Sequence, residues 1–254
     1  MLAAGLAPRV PRGVQNMHPF IPDESADSRM TGLELFLERY LGPRRSEYGE
    51  SETEIASIEM PDPLRRFFKF AGRWPGQNPR FPFVNRFCIQ DMLCSIRKRG
   101  YAPALQLMDN RLIFVCENQS VWVAATERSG LDPPVWISEE SSHRDAKRIW
   151  REIENPLSHF LVSFVLQEAM FSSKLVACAH EALEKLQQVG LSVEPVWARG
   201  EYAWEINRPT YYLVADRFLL RRELMEADGD DWYGCEDSAG AKILGASGLP
   251  TTMG

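Results

Sequence analysis

The sequence predicts an α+β fold: a mostly antiparallel β-sheet with helices packed on one side. Three observations lead there. Apolar residues recur at helical spacing before residue 100, alternate with polar ones between Ala104 and Thr126, and return to helical spacing in a long apolar run after Asn155. The alternating stretches are joined by two-residue polar turns, which return the chain antiparallel, whereas parallel strands need a crossover between them.

Taken in order, Thr31 and Glu34 have the spacing of a capping box, and Leu33, Phe36, Leu37, Tyr40 and Leu41 form a stripe that Gly42-Pro43 ends. The polar segment Arg44–Glu54 is either a loop or the start of a weak helix. Met60–Gly72 is a clearer helix: Asp62 can cap, Pro63 suits the first turn, and Leu64, Phe67, Phe68 and Ala71 share a face. Proline and glycine make the next stretch a loop. Cys88–Gly100 then reads as a helix, with Ile89, Met92, Leu93 and Ile96 on one side.

Ala104–Asp109, Arg111–Glu117 and Ser120–Thr126 read as consecutive strands turned at Asp109-Asn110 and Asn118-Gln119. Pro133–Ser138 is a further short strand, its prolines at the start where no ladder hydrogen bond is lost. Asn155 caps and Pro156 opens the strongest helix, to Phe171, and Lys174–Gly190 reads as another. The β-like pieces Val193–Trp197, Tyr202–Ile206, Thr210–Asp216 and Arg217–Arg222 follow. The expected organisation is a flexible tail over 1–29, with Met17 and Met30 as alternative starts, and a core over 30–172. A helix and strands over 173–245 extend that domain, and 246–254 fray.

A chain of 254 residues with 44% hydrophobic content can bury a sizeable core without cross-links. The net charge of −6 argues against broad binding to nucleic acid, which draws on clustered Lys and Arg. Five cysteines without a C-x-x-C pair suggest free thiols in a reducing compartment, and no apolar run reaches the length of a membrane span. The expected location is therefore the cytoplasm.

Chemistry-bearing motifs are sparse. His180–Glu184 approaches H-E-x-x-H but has Glu184 where a second zinc-binding histidine belongs. Asp228, Asp230 and Asp231 surround Gly229 without the ligand ladder of a calcium loop. No metal, cofactor or catalytic residue is expected. The polar set Glu117, Asn118 and Gln119 reads first as a turn, because Asn tolerates left-handed backbone and these side chains bond nearby amides.

The run from Phe114 through Glu117, Asn118, Gln119, Val121 and Trp122, followed by Asp132, Pro133, Pro134, Val135 and Trp136, resembles the SUKH superfamily, the Smi/Knr regulators and their bacterial relatives. Those proteins carry F-x-x-ENQ-[GS]-V-W and then DPPVW; Ser120 stands here where Gly is usual. The proline-led helix at Met60, the helix after Asn155 and the strands from Tyr202 are similar too, so the resemblance spans about Thr31 to Leu244. It implies a SUKH-like fold and no catalysis. It also implies a cytoplasmic role in binding another protein, as an immunity protein that neutralises a cognate toxin or, alternatively, as a regulator or scaffold. An enzyme with an unrecognised site ranks last.

Glu117, Asn118, Gln119, Trp122, Asp132, Pro133, Pro134 and Trp136 are thus the candidate binding residues. Trp122 and Trp136 are expected to pack together under the sheet edge, with Glu117 bonding backbone around the Asp-Pro-Pro turn. A nuclease-like toxin is basic because its substrate is anionic, so an acidic partner gains association rate. Glu226, Asp228, Asp230 and Asp231, with neighbours Glu223, Glu236 and Asp237, form one candidate acidic face. Glu47, Glu50, Glu52, Glu54 and Glu59 form another. No direct contact with nucleic acid or membrane is expected.

Overall fold

The structure, a computed structural model, describes residues 19–76, 85–98, 102–119, 121–139, 148–198, 209–223 and 230–251. They form an α+β fold with six α-helices and two antiparallel sheets. The N-terminal part holds α1 (Ala26–Leu41), α2 (Glu52–Ala56) and α3 (Asp62–Ala71). Sheet A follows, with β1 (Asp91–Leu93), β2 (Gln106–Met108), β3 (Arg111–Glu117), β4 (Trp122–Thr126), β5 (Pro134–Glu139) and β6 (Arg151–Pro156). Its order is β1-β3-β4-β5-β6, with β2 also paired to β3. After α4 (Leu157–Phe171) come β7 (Leu175–His180), α5 (Ala182–Gln188), β8 (Val193–Ala198), β9 (Thr210–Val214), β10 (Phe218–Arg222), β11 (Asp230–Cys235) and α6 (Ser238–Ala246). Sheet B has the order β7-β11-β10-β9-β8.

Helix α4 organises the molecule. Every residue from Leu157 to Met170 is buried, as befits a helix with apolar residues on every side, and its polar members Ser158, His159, Ser163, Gln167 and Glu168 are buried with them. It contacts β5 and β6 of sheet A, β10 and β11 of sheet B, and α1 and α3. Sheet B divides its residues by strand alternation. Tyr211, Leu213 and Leu219 join the core shared with sheet A, while Tyr212, Val214, Phe218 and Leu220 face a second core with Leu183, Leu186 and Leu244 of α5 and α6. Gly234 lies where β11 crosses the end of α4; a Cβ there would sit 2.5 Å from the Met170 carbonyl oxygen.

Several elements differ from the sequence reading. Helix α1 begins earlier: Ser25 is its cap, and its Oγ accepts from Ser28 N at 3.1 Å. Thr31 and Glu34 lie inside the helix and instead hold Arg66 of α3, at 2.8 and 2.7 Å. The expected tail is folded from Pro19 onward, because Phe20 and Ile21 donate to Pro195 O and Val196 O and Ile21 is buried. At the other end Leu249 is buried and Pro250 O accepts from the Tyr233 hydroxyl. Asp62 is the first residue of α3, with Pro61 as the cap.

The segment expected as a helix from Cys88 instead carries β1, which pairs with β3. Lys174–Gly190 is a helix over its second half alone; Leu175–His180 is a strand that pairs with β11. Asn155 belongs to β6 and caps nothing. The expected turn at Asp109-Asn110 is present: the two residues adopt φ of 50° and 62°, the pair of left-handed residues a tight hairpin needs. Ala215 and Asp216, expected to end a strand, form the same kind of turn between β9 and β10.

Candidate functional site

The Asp-Pro-Pro turn is a junction of four elements. Asp132 Oδ1 accepts from Ser158 N at 2.8 Å, capping α4 where its own cap residue, Pro156, offers no side chain. Asp132 Oδ2 accepts from Ser158 Oγ and from Arg29 Nη2, each at 2.8 Å. Arg29 also donates to Ser158 Oγ through Nε and to Asp23 through Nη1, both at 2.8 Å. Main-chain bonds extend the junction. Pro133 O accepts from Leu157 N, Pro134 O from the Thr126 hydroxyl, and Gly130 O from Asp62 N. The turn thus joins α1, α3, β4 and α4, and a negative charge lies at the positive end of the α4 dipole.

Glu117 acts locally. Its Oε2 accepts from Gln119 N at 2.7 Å and from Val121 N at 3.1 Å, holding the turn between β3 and β4. It does not reach the Asp-Pro-Pro turn, which is a correction to the expectation above. Asn118 and Gln119 are exposed at this turn.

The two tryptophans do not pack together. Ala125 pairs with Trp136 and Trp122 with Glu139 across the β4–β5 ladder. Directly paired residues share a face, and residues an odd number apart point oppositely, so Trp122 and Trp136 lie on opposite faces of sheet A. Trp122 belongs to the core. Trp136 is half-buried beneath the Arg111 guanidinium, 4.6 Å from its ring centre, and that cation also lies 5.4 Å from the ring of Trp150. Trp150 Nε1 in turn donates to Asp109 Oδ2 at 2.9 Å.

No protein-family model, curated protein or solved structure matches the chain.

The acidic stretches are less bare than their sequence suggests. In the first, Glu47, Glu50, Glu52 and Glu59 face Arg45, Arg73, Lys69 and Arg128, and Glu54 closes a capping box with Ser51. In the second, Asp231 is buried, accepts from Leu183 N at the start of α5, and pairs with Arg222, which also holds Glu184. Glu223, Glu236 and Asp237 face Arg221, Arg86 and Arg217. Asp230 is exposed, opposite His180 in the β7–β11 ladder. Glu226 and Asp228 lie outside the described residues. His180 ends β7 while Glu184 lies in α5, so the two do not share a helix.

Two features were missed in the sequence. Glu168, buried in α4, accepts from the N–H groups of Ile89, Gln90 and Asp91 at 2.6, 3.1 and 3.1 Å and so fixes the entry to β1. Burial, with Asp91 beside it, pushes its pKa up to about 8 against the pull of those three amides. Its signal was the one carboxylate in a mostly apolar helix, where a charge persists when it has partners. The second feature is the β2 edge. Gln106 and Leu107 are exposed, and a groove of about 270 Å3 beside them is lined by Ile58, Glu59, Leu105, Leu107 and Arg128 among others. The Glu59–Arg128 pair, 2.6 Å apart, forms part of its wall.

Proposed function

We propose that this chain is a non-enzymatic, cytoplasmic protein-binding module of SUKH type, acting as an immunity protein that holds a cognate basic toxin. The observation that carries the reading is the β2 edge. A strand paired on one side offers main-chain groups to a partner strand, and native sheets usually cover or charge such edges. Here the edge presents Leu107, 55% exposed, over an open groove. Its own ladder with β3, closed by the Asp109-Asn110 turn, holds this edge in place, while Asp132 and Glu117 brace other turns of sheet A.

A basic partner fits the net charge of −6. Because most of the described carboxylates in the two acidic stretches already face arginine or lysine, attraction comes from the overall charge and from Asp230 more than from a bare acidic patch. Five free cysteines suit a reducing compartment.

The test is recovery of partners on the tagged, full-length chain from its native host, beside Leu107→Glu. The expected result is a stoichiometric basic protein that arrests growth when expressed alone and is silenced by co-expression. Leu107→Glu should lower its affinity at least about tenfold, the cost of roughly 1.4 kcal/mol at a buried contact, with an unchanged circular dichroism spectrum. A partner harmless on its own would replace immunity by regulation or scaffolding. Wild-type affinity in Leu107→Glu would move the interface away from β2.

A further inference from the structure

Cys94 extends β1 by one residue: its N–H donates to Phe114 O at 2.8 Å. Cys116 lies opposite Met92 in the same ladder, so it is the diagonal neighbour of Cys94. Their Sγ atoms are 3.7 Å apart, and the residues are 0% and 8% exposed. The other three thiols are placed differently. Cys88 donates to Leu93 O and Cys235 to Asp237 O, while Cys178 is half-buried on β7 in the other sheet.

We propose that Cys94 and Cys116 are an oxidation site, forming a reversible disulfide between β1 and β3 when the protein meets hydrogen peroxide. The roles follow from the contact. Either thiol can donate in this contact; when Cys94 donates, that hydrogen bond and then the Arg148 guanidinium favour the Cys116 thiolate against burial, whereas donation and burial hold Cys94 in its thiol form. Cys116 is also the more accessible of the two.

The Cys116 thiolate attacks one peroxide oxygen. The O–O bond breaks, hydroxide leaves and becomes water with a proton, and Cys116 becomes a sulfenic acid. Cys94 loses its proton as its sulfur attacks the Cys116 sulfur; the S–O bond breaks and a second water leaves. Two thiols and one peroxide give one disulfide and two waters, the two electrons passing from the sulfurs to the peroxide oxygens.

The bond must shorten the sulfur separation from 3.7 Å to about 2.05 Å. A diagonal pair reaches this through a shift of the backbone where β1, three residues long, meets β3. The closed loop contains β2 and the Asp109-Asn110 turn, so oxidation ties down the edge strand. This inference stands independently of any partner at that edge.

The experiment treats the full-length wild-type protein with hydrogen peroxide, blocks remaining thiols under denaturing conditions, and maps peptides by mass. A Cys94–Cys116 cross-link should form at least about tenfold faster than oxidation of Cys178, reverse with dithiothreitol, and slow amide exchange over Leu105–Met108. In Cys94→Ala, Cys116 should persist as a sulfenic acid trapped by dimedone. Oxidation of Cys178 ahead of the pair, or Cys116 passing to sulfinic acid while Cys94 stays a free thiol, would overturn the assignment. The wild-type measurement holds whether or not the variant folds.

Discussion

Glu117 and Asp132 are both carboxylates at turns of sheet A, and both come from the same signature, yet they act over different ranges. Glu117 holds two amides of its own turn, at the surface. Asp132 binds α1 through Arg29 and α4 through Ser158, and its turn also receives hydrogen bonds from α3 and β4. The tryptophans divide in the same way: Trp122 lies in the core and Trp136 on the other face under a cation. Residues that read alike in a motif therefore differ in consequence according to how many elements meet at them.

Asp132→Ala is expected to have the largest effect. Arg29 and Asp132 keep side-chain exposures of 11% and 18%. Removing Asp132 leaves a largely buried guanidinium to be balanced by Asp23 and an uncapped Ser158 N–H, a combined loss of about 3–5 kcal/mol. Asp132→Asn keeps an acceptor for Ser158 and should lose less, about 1–3 kcal/mol. Urea unfolding of the three proteins measures both. A loss under about 1 kcal/mol in Asp132→Ala would mean the four elements are joined by packing without this carboxylate.

The tryptophan pair sharpens the comparison further. Trp122→Ala empties a core site and should cost about 3–5 kcal/mol. Trp136→Ala removes a half-buried ring and its cation–π contact with Arg111, which together contribute about 1–2 kcal/mol. Equal losses would contradict their placement on opposite faces. A loss near zero at Trp136, together with weakened partner binding, would make that face part of the interface.

The strands between Gln106 and Glu139 were legible because each is long enough for alternation to show or is bounded by a turn of defined chemistry, as at Asp109-Asn110. The β1 segment was not. Ile89, Met92, Leu93 and Ile96 fall at helical spacing by coincidence, and a strand of three residues is too short to reveal its period. What makes it a strand is distant: β3 supplies the ladder and Glu168 fixes the approach. Leu175–His180 fails likewise, since pairing with β11 overrides the local preference of Leu and Ala for helix. Arg29 falls in the stretch expected as a tail, and nothing in the sequence says that it lies in a helix whose partners are Asp132 and Ser158. The signature residues could be located from sequence, whereas their range of action depended on contacts far along the chain.

The smallest effect is expected at Glu117. Its two acceptor bonds sit at a partly exposed turn, where water competes for Gln119 N and Val121 N once the carboxylate is gone. Glu117 also faces Asp91 across the β1–β3 ladder, and removing one of two facing carboxylates relieves repulsion. The two effects oppose each other, so Glu117→Ala should cost about 0.5–1 kcal/mol, and Glu117→Gln, which keeps an acceptor while removing the charge, should be close to neutral. Denaturation midpoints would separate the cases. A loss at Glu117→Ala as large as that at Asp132→Ala would mean that the β3–β4 turn also ties distant elements together, and the division between a local and a long-range half of the signature would fail.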